Sequence, residues 1–279
     1  MKNYIKNVYL VFLIIITFFS INEAIAKEGN IKYSKNNISN YFSGILSSKY
    51  SSTNNAYKYL NKVQDLKSKH DNYNIKFLRT LVQLNKFGEA FLFSKSIWKE
   101  EEIFFEIELI MGLNFLMDKN YSRAAIHFQR LDKIPIYDIF FKGLFGNVLN
   151  AWTEAFQKNK KNSFNFLNRV PSRYMYLGQI QNSFMKCHYN LEETQESFLQ
   201  LIESEDYNFS RYNFFLSNYL LHQKNKSEAI KVIEESRKEY NSNLLIKQTE
   251  LFFLNNEEKK IKKLFDCRNS KDSIAEFFY

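Results

Sequence analysis

The segment GLNFLMDKNYSRAAIHFQRL, Gly112 to Leu131, reads as two amphipathic helices joined by a polar turn. Gly112, Phe115 and Leu116 fall on one stripe of the first helix, and Ala124, Phe128 and Leu131 on one stripe of the second. Asp118-Lys119-Asn120 between them is a run of turn formers. Ala124 is a small residue inside an apolar stripe, which suits a place where two helices cross closely. Outward from it, Ala56 and Ala90 stand in equivalent contexts at separations of 34 and 34, and Ser163, Thr194 and Ala229 follow at 39, 31 and 35. A period in this range marks a repeat architecture.

The register holds at other positions. Four residues after each marker stand Leu60, Ser94, Phe128, Leu167, Phe198 and Ile233; seven after stand Val63, Ile97, Leu131, Val170, Leu201 and Ser236. Twelve before stand Gly44, Leu78, Gly112, Ala151, Asn182 and Ser217, mostly small. With only 7 Gly and 2 Pro in 279 residues, sheets and dinucleotide-binding folds lack the turn glycine they need. Pro135 and Pro171 fall after second helices, where a proline ends a helix without breaking one. The expected fold is all-α, an α-solenoid of stacked antiparallel helical hairpins. One hairpin cannot bury its own apolar stripe, so stability comes from neighbours.

The unit Gly112 to Leu131, with the junctions Asn85-Lys86-Phe87-Gly88-Glu89-Ala90 and Asn225-Lys226-Ser227-Glu228-Ala229-Ile230, resembles the tetratricopeptide repeat (TPR) family. The repeats are degenerate: where that family often has Trp, this chain has Asn40, Asn74, Glu108, Asn147, Gly178 and Asn213. The resemblance implies a TPR-like right-handed superhelix, and the overall arrangement is similar to long repeat proteins exported by Gram-negative α-proteobacteria. It further implies a concave binding groove lined by first helices. Carried over by register, that lining is Tyr41 and Ile45; Ile75, Arg79 and Gln83; Leu109, Leu113 and Leu116; Val148, Trp152 and Phe156; Ile180 and Lys186; Phe214, Asn218 and His222. Such a lining suits an extended or helical peptide with apolar anchors. The rival reading is that tight packing between repeats fills these positions.

The first 26 residues read as a signal peptide: Lys2 and Lys6, the apolar run Val8 to Ile21, then Ala24-Ile25-Ala26 as the small-x-small cleavage site, Ala24 and Ala26 being its small residues. Fourteen apolar residues are short for a bilayer span of about 20. The expectation is export, to the periplasm, with no stable membrane span after cleavage; anchoring in the inner membrane through residues 8–21 is the alternative. Residues 27–37 then form a linker, 38–269 six to seven TPR-like hairpins, and 270–279 the start of an incomplete further helix, an uncapped end open to self-association.

The formal net charge is +9, but basic and acidic residues alternate, as in Lys231 to Glu239, which reads as a solvated helix face; with export expected, nucleic acid is not an expected partner. Cys187 and Cys267 make no CxxC pair; unpaired buried thiols are the expectation, and pairing in an oxidising compartment is the alternative that sequence leaves open. His70, His127, His188 and His222 carry no metal-ligand spacing, and no nucleotide or hydrolase motif occurs. The expected function is that of a non-catalytic TPR scaffold or adaptor binding a protein or peptide in the bacterial cell envelope, with no cofactor and no metal. The alternative is a helical-repeat arm of a cell-wall or polysaccharide-processing enzyme.

Overall fold

The computed structural model describes residues 34–134, 141–204 and 209–278. Residues 1–26, with Ala24 and Ala26, and also Pro135 lie outside the described residues. The chain is all-α: every regular element among the described residues is a helix. It divides into two compact units, residues 1–84 and 85–279. The sequence reading placed no boundary at residue 84.

The first unit holds α1 (Lys35–Lys49), α2 (Thr53–Leu60) and α3 (Asp71–Gln83). After α2 the backbone tightens into a 3₁₀ stretch, Asn61–Ser68, with non-helical φ/ψ at Val63. Gly44 of α1 lies against Leu60, where a Cβ would run into the leucine side chain. Tyr73 is fully buried, donates its hydroxyl to the Leu60 carbonyl at 3.2 Å, and stacks on Phe77 with centroids 5.6 Å apart. Burial pushes the Tyr73 phenol far above its ordinary range.

The second unit begins with α4 (Phe87–Ile97). Five helix–turn–helix pairs follow: α5 (Phe105–Met117) with α6 (Tyr121–Leu131), α7 (Phe145–Phe156) with α8 (Lys160–Leu167), α9 (Met175–His188) with α10 (Thr194–Ile202), α11 (Ser210–His222) with α12 (Lys226–Glu239), and α13 (Leu244–Leu254) with α14 (Glu258–Leu264). A last helix, α15, runs Ser270–Phe277. Each pair packs internally, and α6 packs on α7, α10 on α11 and α12 on α13, so consecutive helices shelter one another's apolar stripes.

The turn explains why these residues pair. The residue just past every first helix has positive φ: Ser51, Asn85, Lys119, Lys158, Asn190, Lys224 and Asn256, with φ between 51° and 65°. None is glycine, so each turn accepts the cost of a Cβ in the left-handed region, about 1 kcal/mol. What offsets it is capping. After six of the seven, the next amide returns to a carbonyl five residues back, as Asn120 N to Phe115 O at 2.8 Å and Asn225 N to Leu220 O at 2.9 Å. The Asn side chains at 120, 159 and 225 then accept from amides three residues on, opening the second helix. One Lys-Asn dipeptide thus closes one helix and starts the next, at 119–120, 158–159 and 224–225.

The small-residue register has a direct packing counterpart. Ala56, Ala90, Ala124, Ser163, Thr194 and Ala229 are all fully buried. A Cβ on Gly112 would strike the Phe128 ring, and the Ser217 hydroxyl donates to the Ala229 carbonyl at 2.8 Å. Ala151 is also fully buried. At Gly44, Gly112, Ala151 and Ser217, then, the residue twelve before the marker is small and buried where two helices approach closely, and Ser217 also bonds the partner backbone; Leu78, at the same register position, is a large buried exception. Asn182 at the same register position is only half-buried.

Candidate functional site

In the second unit the chain's own C-terminal segment packs on the first helices α7, α9 and α11. After α14, Phe265 turns inward and is buried against Phe184 of α9 and Phe215 of α11, with centroids 5.1 and 4.7 Å apart. Cys267 is bonded to Cys187 of α9 across 80 residues of sequence, with Cα atoms 5.8 Å apart. The expectation of unpaired thiols is therefore corrected in favour of the alternative: both cysteines are buried, but as a disulfide. Sequence cannot supply a Cα approach between such distant positions.

Two histidines hold the next residue. Arg268 pairs with Asp266 through two bonds of 2.9 Å and reaches His222 Nδ1 at 2.8 Å, so that nitrogen accepts. His188 Nδ1 lies 3.0 Å from the Arg268 carbonyl and must donate. The two imidazoles therefore sit in opposite tautomers at the ends of α9 and α11. Burial lowers the His222 pKa, and Arg268 and Lys262 push the same way against the opposing charge of Asp266. A depressed folded-state value means His222 contributes stability above the unfolded value of about 6.5, lost as pH falls toward the folded value. Urea midpoints should thus drop between pH 7.5 and 5.5, and His222→Gln should flatten that drop. An unchanged slope in the variant would show that His222 does not carry it.

Helix α15 then packs on α7 and α9. Ser273 and Ile274 are buried, the Glu276 carboxylate meets Arg211 at 2.5 Å, and Phe277 lies edge-on to Phe145 at 5.3 Å. Burial raises the Glu276 pKa although Arg211 opposes it. The segment read as an uncapped end is a two-turn helix that buries Ser270, Ser273 and Ile274, half-buries Phe277 and leaves Phe278 exposed. Local patterning could not show this, because the surface that receives it lies more than 60 residues earlier.

The expected lining residues separate accordingly. Trp152, Phe214 and Asn218 are buried in helix packing: Trp152 donates to Gln181 Oε1 at 2.8 Å, and Asn218 donates to the Ile261 carbonyl at 3.0 Å. Val148, Ile180 and Leu116 are buried too. Phe156 is half-buried and stacks near Tyr121, 6.3 Å between centroids. Lys186, also half-buried, faces a polar cleft of about 120 Å³ beside Gln179 and Gln200. In the first unit, Tyr41 accepts from Asn72 at 3.0 Å, and Arg79 and Gln83 are exposed.

Sequence reasoning missed one constellation. Glu108, fully buried on α5, receives His127 at 2.6 Å, Arg130 Nε at 2.8 Å and Trp98 Nε1 at 3.1 Å. Arg130 also donates to the carbonyls of Lys99, Glu100 and Glu102 and covers the Trp98 ring, 5.3 Å from its centroid. Both carboxylate oxygens are engaged, and among the described residues no hydroxyl or thiol bonds His127. The cluster fastens the segment after α4 to α5 and α6.

Among the described residues no group of three or more His, Cys, Asp or Glu is placed to hold a metal ion, and no helix is long and apolar enough to cross a membrane. Comparison with family models, curated proteins and solved structures finds no match to this chain.

Proposed function

We propose that the chain is a non-catalytic α-solenoid of degenerate tetratricopeptide-like hairpins that binds a protein or peptide as a scaffold in the bacterial cell envelope. The recurring helix, left-handed turn and helix at a spacing near 34, with a fully buried small residue in each second helix from α2 to α12, supports the solenoid reading. The observation that carries the binding reading is α15: the faces of α7 and α9 already accept a short helix through apolar contacts, and Arg211 of α11 adds one ion pair. That is the chemistry of helix-in-groove recognition. The disulfide supports export, since such bonds persist in oxidising compartments.

Two measurements test the two parts. Fusing a phosphatase that is active only outside the cytoplasm to the C-terminus should give active enzyme in the native host. A photo-cross-linking residue at Phe156 or Lys186, half-buried positions on first helices, should capture a discrete protein partner in intact cells. Adducts arising only from second helices or chain ends would replace groove binding with an end-on adaptor.

A further inference from the structure

Between α9, α11 and α15 lies a cavity of about 340 Å³, which falls in the size range of small-molecule sites. Its walls are apolar: Leu177, Ile180 and Phe184 from α9, Tyr212 and Phe215 from α11, and Phe277 from α15. Among its polar groups are the Gln181 amide, the Tyr212 phenol and the Glu276 carboxylate, and the amide is the most deeply buried of the three. Gln181 is 1% exposed, and its Oε1 is taken by the Trp152 indole N–H. An indole nitrogen can only donate, so this bond fixes which way the amide points. Gln181 Nε2 then presents its donors with no hydrogen-bond partner among the described residues. An acceptor seated in the cavity at that place would complete the hydrogen bonding of the amide. At the rim, Arg211 and Glu276 satisfy each other's charge at 2.5 Å, and the Arg211 guanidinium lies over the Phe215 ring.

We propose that this cavity is a binding site for a compact, neutral, aromatic molecule bearing one carbonyl acceptor, with the carbonyl on Gln181 Nε2 and the ring among Ile180, Phe184 and Phe215. Neutrality follows from the rim. A charged ligand would either stay unpaired in an apolar cavity or break the Arg211–Glu276 pair, and both cost free energy. Helix α15 supplies part of the wall, and the Cys187–Cys267 bond fixes where that helix starts. The site is separate from groove binding of a protein partner and stands or falls without it.

The test uses the full oxidised chain and 6-propionyl-2-(dimethylamino)naphthalene, a neutral naphthalene ketone whose emission moves to shorter wavelength in apolar surroundings. The expected result is saturable one-to-one binding with a blue shift, displaced by 2-acetylnaphthalene. Its carboxylate counterpart 2-naphthoate should compete at least about tenfold less well, the equivalent of about 1.4 kcal/mol. Leu177→Trp, which fills the cavity from a half-buried wall, should abolish binding with helical circular dichroism unchanged; Leu177→Phe, a smaller filling change, should weaken it if the tryptophan variant does not fold. Non-saturable partition, or binding indifferent to both fillings, overturns the site. Equal competition by 2-naphthoate overturns the neutral-ligand assignment.

Discussion

Replacing Glu108 with alanine should lower the stability of the second unit by about 3–5 kcal/mol, the usual loss when one member of a buried ion-pair network is removed. Glu108 has no solvent exposure, and its two oxygens serve three donors. Truncation leaves the His127 and Arg130 side chains, 8% and 12% exposed, without their acceptor, and leaves the Trp98 indole N–H unbonded. It also opens a hole against the rings of Trp98 and Phe115, which flank His127. Glu108→Gln keeps one acceptor for Arg130 and Trp98 and should cost clearly less, about 1–3 kcal/mol. Glu108→Met tests the network differently: an apolar side chain of similar length fills the space but pairs with nothing, so it should resemble alanine in stability. Urea midpoints of the four proteins decide. A midpoint for Glu108→Ala within error of the parent would mean that the charges are not desolvated as the buried geometry requires.

Glu108 also shows where sequence reading stops. The repeat register was legible because each contact behind it is local: twelve residues separate Gly112 from Ala124, and a turn of three residues makes them meet. The all-α class follows from the same locality. Glu108 was noted only as a departure from the family pattern, because a charge at a packing position is uninterpretable until its partners are known. The signal was present in part. Glu108, His127 and Arg130 lie within one repeat, and a carboxylate, an imidazole and a guanidinium on mutually facing helix stripes are a network in waiting. Trp98, in the preceding connection, gave no such cue.

The expected groove lining was legible as a list of positions but not as a surface. Trp152, Phe214 and Asn218 fall on first helices, yet packing claims them, as the rival reading allowed. What separates a lining residue from a core residue is the identity of the neighbouring helix, and periodicity does not encode that. Still less does it encode a helix returning from the C-terminus. Phe265, Cys267 and α15 meet α7, α9 and α11 across large sequence separations, so no window-based pattern contains both partners. The 3₁₀ stretch after α2 is a smaller case: Val63 keeps its expected burial while its backbone leaves the helix, so a side-chain register alone reads the same for both conformations.

Breaking the Cys187–Cys267 bond should be the second large perturbation, and its effect should be regional. A link closing a loop of 80 residues removes chain entropy from the unfolded state worth about 4.5 kcal/mol, and native disulfides of this kind typically deliver about 2–5 kcal/mol when removed. The double variant Cys187→Ser, Cys267→Ser should therefore lose a stabilisation in that range, measured against urea. Both sulfurs are buried, so a reductant should act slowly on the native chain and quickly once urea opens it. The regional part follows from what the bond holds. Only Arg268 and Asn269 separate Cys267 from α15, and α15 itself buries little more than Ser270, Ser273 and Ile274. Without the bond, that helix depends on the Arg211–Glu276 pair, the grip of His188 and His222 on Arg268, and Phe277 against Phe145. Surface-level ion pairs contribute about 0–1 kcal/mol each, too little to hold a two-turn helix. Amide exchange in residues 267–278 should accelerate well before exchange in α5 or α6. If the bond-free chain instead kept the C-terminal amides protected and lost stability uniformly, the disulfide would act on the unfolded chain alone, and α15 would be seated by its own contacts.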